Sequence, residues 1–347
     1  MHHNISTFLI AGIFKRWYVR FMRWLLIIYL CLIQTIQANI IPEIKKRGVL
    51  NCGVTTGLPG FSFMNEKGEW AGFEVDYCRG IAAAIFNDPN KVKFIPLTNQ
   101  MQFLALNMKQ VDVLARVISI NYTRATQLSG MFPVTHYFDD EAVLIYNLNI
   151  KKLSDLDGKT ICLVSGSTTE QNLYHYALTQ GWHYKPLVMS RGQLAVRALA
   201  SGRCKALAGD RSSLYVFKNE LPKPKQANVF DESIALEPLG LMVRQSDIDL
   251  YQLIQWMHYA LVLSEQKNIT QATIASKQLT LSDFNEQMGI MSLTMSYLPD
   301  HWLYQVINAV GNYGEIYSRN LTKPLNIPRN NNKLMSQGGM MYSPSFN

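Results

Sequence analysis

Several chemistries leave no trace in this chain of 347 residues. It has no Gly-x-Ser-x-Gly elbow and no Cys-x-x-Cys pair, so serine-hydrolase and dithiol-redox readings have nothing to stand on. Its seven histidines are scattered, without His-Glu-x-x-His or comparable spacing, and neither a metal nor a cofactor is expected. Charge is sparse, at 17% of residues, and the 33 basic and 25 acidic side chains are dispersed. Without a Lys/Arg block, the formal net charge of +8 does not point to a nucleic acid. No repeat of solenoid length is apparent.

What the chain does have is bulk: 48% hydrophobic residues over this length fill a substantial core and call for more than one lobe. At the amino end Lys15, Arg16, Arg20 and Arg23 precede a ten-residue apolar run, Trp24 to Ile33, followed by polar Gln34, Thr35 and Gln37. A membrane-spanning helix needs roughly 20 apolar residues. The pattern is that of a secretory signal peptide over residues 1–38, cut after Ala38, with export to the periplasm. Leu30 before Cys31 argues against a lipid-attachment site, and Met22 offers an alternative start. Cleavage removes four positive charges and no acid, leaving +4 of the formal +8.

Beyond the leader, strands and helices alternate. Val49 to Val54 reads as a strand, Tyr77 to Phe86 as a helix opened by Gly72 to Asp76, Val92 to Pro96 as a strand, Met101 to Met108 as a helix and Val111 to Val117 as a third strand. The pattern restarts at Thr160 to Val164, with a helix from Glu170, a helix from Gln193 to Ala200 and a strand ending at Asp210. Two α/β lobes with mostly parallel sheets are expected. The first is discontinuous (39–143 and 240–347), the second continuous (144–239), and two crossing segments form a hinge. The Asn-rich tail from Asn330 reads as surface wrap.

Ligands of open parallel sheets sit at the carboxyl ends of strands. At those ends the loop from Thr55 to Phe61 offers backbone and Leu58 as a pocket wall. Arg124 is suited to clamp a carboxylate bidentately. Arg116, inside a strand, is expected to be paired behind the site. Ser165 to Thr169 opens a helix whose free N–H groups favour an anion, and Ser167 with Glu170 fits a capping box. Asp210 is either a counter-charge for an ammonium or a helix cap. An arginine, an anion-binding helix start and a carboxylate divided between hinged lobes describe a receptor for a zwitterion such as a free amino acid.

The stretches Arg47-Gly48-Val49-Leu50-Asn51-Cys52-Gly53-Val54-Thr55-Thr56-Gly57-Leu58-Pro59-Gly60, Val75-Asp76-Tyr77-Cys78-Arg79, Ser165-Gly166-Ser167-Thr168-Thr169-Glu170, Gly202-Arg203-Cys204, Glu237-Pro238-Leu239-Gly240 and Val310-Gly311-Asn312-Tyr313-Gly314-Glu315 carry a resemblance. From about Ile44 to Pro344 the chain resembles periplasmic amino-acid-binding proteins of ABC transporters, above all the general L-amino-acid-binding subgroup. The resemblance implies the type II periplasmic-binding-protein fold. It implies that Arg124, Ser119, Ser167 and Thr168 hold the ligand α-carboxylate, that Asp210 holds the ammonium, and that Thr55 and Leu58 wall the pocket. The implied partners are a free polar L-amino acid and a membrane permease, with the protein a monomer. The chain departs from the subgroup at Val117-Ile118-Ser119-Ile120-Asn121, where a more polar run is typical, a change that bears on ligand preference.

Two other functions fit the scaffold. One is a dehydratase of cyclic amino-acid precursors, with Glu74, Asp76 or Glu141 as its acid; the other is a ligand-loaded sensor for a membrane receptor. Of the five cysteines, cleavage removes Cys31 and leaves four. Pairing Cys52 with Cys78 and Cys162 with Cys204 keeps each bridge within one lobe and the hinge free.

Overall fold

Strand Leu50–Val54 is the centre of a three-stranded parallel sheet, flanked by Val92–Pro96 and Val113–Leu114, with Cys52 opposite Phe94 on one side and Val113 on the other. The computed structural model describes residues 17, 20–24, 39–291, 295 and 297–347. Residues 1–38 and 39–347 are separate units. In the first, Trp17 and residues 20–24 are helical; Cys31 and the cleavage bond after Ala38 lie outside the described residues, as does the apolar run beyond Trp24. Among the described residues no helix is long and apolar enough to cross a membrane.

Helix Phe73–Phe86 is buried on nearly every face, because the sheet covers one side and helices Trp302–Val310 and Ile248–Gln266 cover others. Its Gly80 leaves room for that crossing: a Cβ there would lie 3.0 Å from Met257 Sδ and 3.6 Å from Val306. The third strand is shorter than its sequence suggests, ending at Leu114. Val117 has φ +58°, a left-handed conformation that a β-branched residue adopts only under constraint, and it turns the chain out of the sheet. The Val117 N–H donates to Glu74 Oε1 at 2.6 Å, an anchor from the buried helix that holds the turn.

The second sheet has six strands, with Tyr137–Tyr146 pairing Ala206–Asp210 on one side and Ala227–Val229 and Ala235–Leu239 on the other. Thr160–Val164 and Lys185–Met189 extend it in parallel. Tyr137–Tyr146 runs against each of its three neighbours, so three of this sheet's five described pairings are antiparallel and two parallel: the two α/β lobes are as expected, the first sheet parallel and the second mixed. Residues 137–143, assigned to the first lobe on sequence, pair within this second sheet along the whole strand.

Each sheet region contains one disulfide: Cys52 with Cys78, joining strand and helix in the first, and Cys162 with Cys204 in the second. The tail is more than surface wrap. Asn332 is buried, its side-chain oxygen accepts the Phe138 N–H at 2.7 Å and its amide donates to the Phe138 carbonyl at 2.8 Å. Phe138 stands opposite Pro238, which has no N–H to give, and the asparagine amide supplies a donor and an acceptor where the ladder falls short.

Candidate functional site: a cavity between the two sheets

One cavity collects residues from both sheet regions: Thr55, Leu58, Ser119 and Arg124 from the first, Ser167, Thr168 and Asp210 from the second. All seven residues singled out on sequence as ligand contacts line it, and Arg116 lines it with them. Arg116 is held by uncharged groups: its guanidinium donates to Gln102 Oε1 at 2.8 Å and to Asn99 Oδ1 and the Leu97 carbonyl at 3.0 Å. Burial lowers it to about 10, against the opposing pull of Glu74.

Arg124 sits in the short helix Tyr122–Gln127, capped by Asn121, whose side chain accepts the Arg124 N–H at 2.9 Å. Its guanidinium donates to the Ser119 carbonyl at 2.9 Å, and burial lowers its basicity against the opposing pull of Glu237, Asp210 and Glu141. The Ser119 segment is fixed by the returning chain: Ile120 N–H donates to the Pro238 carbonyl at 2.7 Å and Gly240 N–H to the Ile118 carbonyl at 2.9 Å.

The capping box expected at Ser167 and Glu170 does not form. Gly166, at φ +74°, turns the loop so that Ser167 Oγ donates to the Val164 carbonyl at 2.7 Å, while Thr168 already has helical dihedrals. Glu170 Oε1 accepts the Gly166 N–H at 2.8 Å, and the Val164 carbonyl takes that of Ser167. The N–H groups of Thr168 and Thr169 remain at the helix start.

Asp210 occupies the N-cap position of helix Arg211–Glu220 but makes no capping hydrogen bond. Asp139 caps that helix from the neighbouring strand, accepting Ser212 Oγ at 2.5 Å and the Ser212 N–H at 3.4 Å. The Asp210 carboxylate is thereby left to the cavity. Burial, with Asp139, Glu141 and Glu237 nearby, holds it well above the usual carboxylate range; Arg124 opposes them.

Four side-chain contacts close the cleft. Gln193 Nε2 donates to the Gly57 carbonyl at 2.9 Å, Asn99 Nδ2 and Gln100 Nε2 to the Ser165 carbonyl at 3.2 and 3.4 Å, and Ser119 Oγ meets Thr168 Oγ1 at 3.2 Å. Sequence reasoning missed Gln193, Asn99 and Gln102, which carry no motif. Of the acids considered for a dehydratase, Glu74 is committed to Val117 and faces His136, and Asp76 accepts from Arg319 and Asn320. Glu141 stands behind two residues that line the cavity, accepting Thr168 Oγ1 at 3.2 Å and Thr169 Oγ1 at 2.9 Å.

Two α/β lobes clasped over a cavity lined with charged and hydroxyl groups define a cleft-closing solute receptor. The profile of the bacterial extracellular solute-binding proteins, family 3, matches residues 50–272, and the chain belongs to that family. It is 37% identical to the general L-amino acid-binding periplasmic protein AapJ of Rhizobium johnstonii, over 89% of this chain and 93% of that one. It is 33% identical to the glutamate/glutamine/aspartate/asparagine-binding protein BztA of Rhodobacter capsulatus, over 89% of this chain and 94% of its relative. The solved structure of an ABC transporter periplasmic binding protein from Brucella ovis with glutathione bound is 38% identical, with a TM-score of 0.84, covering 89% of this chain and all of that one.

Proposed function

We propose that the chain captures a polar L-amino acid in this cavity and delivers it to the permease of an ABC importer, as a monomer exported by a cleaved leader over residues 1–38. One observation carries the reading: Arg124 and a carboxylate with no capping role, Asp210, reach one cavity from the two sheet regions. Arg124, Ser119, Ser167 and Thr168 take the α-carboxylate, Asp210 takes the ammonium, and Thr55 and Leu58 shape the wall. The lobes, 39–136 with 240–347 and 137–239 once strand Tyr137–Tyr146 is counted with its own sheet, close about the crossings near 137 and 239, desolvating both ligand charges while pairing each. Such a binding cycle makes and breaks no covalent bond, and the protein is not an enzyme.

The relatives named for amino acids support the zwitterion reading. The Brucella ovis protein favours a second, wider one, because glutathione carries a free α-ammonium and α-carboxylate on its γ-glutamyl end and offers the same grip. A thermal-shift panel on ligand-stripped mature protein decides between them, since a ligand that binds only the folded state raises the midpoint. Shifts with amino acids and none with glutathione support the narrower reading; no shift with either overturns both.

A further inference from the structure

Glu141, Asp210 and Glu237 form a cluster that the zwitterion reading does not use in full. The register places them together: Glu141 lies directly opposite Asp210 on one neighbouring strand and diagonally from Glu237 on the other, where Glu237 faces Asp139. Oxygens of the three carboxylates lie within 4.8 Å of one another. Glu141 and Glu237 are buried, and each spends one oxygen: Glu141 Oε1 accepts the two threonine hydroxyls, and Glu237 Oε1 accepts Asn172 Nδ2 at 2.7 Å. The other oxygen of each, Glu141 Oε2 and Glu237 Oε2, is buried without a hydrogen-bond partner.

Arg124 is the cation that acts on all three. Asp139, on the same strand, adds a fourth acid, while Arg211 is engaged by Asp140 on the far side. Like charges directly opposite across a sheet repel, and one guanidinium cannot balance two buried carboxylates and a half-buried one. A proton between orphaned oxygens resolves both problems. We propose that the Glu141–Asp210–Glu237 triad holds a shared proton in the ligand-free protein and releases it to solvent when an ammonium docks at Asp210, with Glu141 as the positioning residue. This rests on the zwitterion reading. In keeping with it, burial and Glu237 push Glu141 up to about 7.

The sign follows from exchange. An ammonium replaces the proton, so binding releases protons and affinity falls as pH drops below about 7. L-glutamine is the probe, titrated calorimetrically at pH 8, 7 and 6 in buffers of high and low ionisation enthalpy. The wild type is expected to bind about tenfold more weakly at pH 6 than at pH 8, the change for one exchanged proton that titrates near 7, with a buffer-dependent heat. In Glu141→Gln an amide donates permanently to the two acids. Its affinity is expected to match wild type at pH 6, to be weaker at pH 8, and to vary less than twofold between them. Glu237→Gln serves as a second variant.

A ligand-free arm reads the proton itself. An infrared band of a protonated carboxyl at pH 6 is expected in stripped wild type and diminished in Glu141→Gln. Failure of L-glutamine and every other amino acid to bind, with the band present, sinks the transport reading and spares the shared proton. Binding with no band and no buffer dependence overturns the proton. A calcium-induced rise in melting temperature that Glu141→Gln abolishes also overturns it, by making the triad a metal site.

Discussion

The hydroxyls of Ser119 and Thr168 stand 3.2 Å apart, one from each side of the cleft. Thr168 has one hydroxyl proton and directs it to Glu141 Oε1, so the proton between the two hydroxyls is donated by Ser119. A chain of donors runs from the first lobe into the acidic floor of the second, and cleft closure assembles it.

Ser119→Ala removes the first donor of that chain. The expected loss is about 0.5–1.5 kcal/mol of ligand affinity, the range for one hydrogen bond, expressed mainly as faster dissociation. Stopped-flow release of a bound amino acid measures it; an unchanged off-rate contradicts a role for this contact in closure.

Arg124→Ala and Asp210→Ala each leave one ligand charge buried without its partner. Each is expected to cost roughly 2–5 kcal/mol of affinity, read by calorimetry. Wild-type binding by either variant removes that residue from the site. Circular dichroism of Asp210→Ala is expected to match wild type, since Asp139 and not Asp210 caps the following helix.

Arg124 and Asp210 stand beside punctuation that strand and helix patterning reveals, and the α/β alternation placed both at strand ends. The triad could not be read this way, because Glu141, Asp210 and Glu237 meet only through the register of three strands far apart in the chain. Nothing in the order Gly209-Asp210-Arg211 shows that a distant Asp139 will take the capping role. The capping-box reading of Ser167 failed for the opposite reason: the local signal was present, but the left-handed Gly166 turned the hydroxyl back onto Val164. The third strand likewise stops at Leu114 although its apolar pattern runs on to Val117, where the left-handed turn leaves the sheet.

His258 gives acid a point of attack. It is buried with Nδ1 2.9 Å from Tyr77 Oη, and burial, with His136 nearby, lowers it to about 3. The folded state keeps the ring neutral while the unfolded chain protonates it below about 6.5. The stability it contributes is complete above that pH and is lost as pH falls towards 3, at up to about 1.4 kcal/mol per unit. Denaturant unfolding between pH 6 and pH 4 is expected to show a shallower decline in His258→Gln; parallel slopes refute the assignment.

The bridges differ in span, with sequence separations of 26 for Cys52–Cys78 and 42 for Cys162–Cys204. The loop-entropy argument gives each about 4 kcal/mol as an upper bound, slightly more for the longer. Scanning calorimetry with and without reductant is expected to show a large fall in melting temperature, and a peptide map to recover only these two pairs. A bridge joining a cysteine of the first pair to one of the second contradicts the fold.

Helix Phe73–Phe86 packs against helix Trp302–Val310, and 216 positions (302 − 86) separate their facing ends. A chain emerging from its amino end completes the six-stranded sheet once Leu239 is available, yet the first lobe must wait for the last fifth of the polypeptide. Until then the early helix lacks the cover of helix Trp302–Val310, and contacts this distant close slowly. The export proposed for this chain is served by a polypeptide that stays unfolded until it has crossed the membrane. A fold whose first lobe cannot finish before nearly the whole chain exists gives the secretion machinery time to act, and makes the late-arriving helices the step that commits the molecule to its native form.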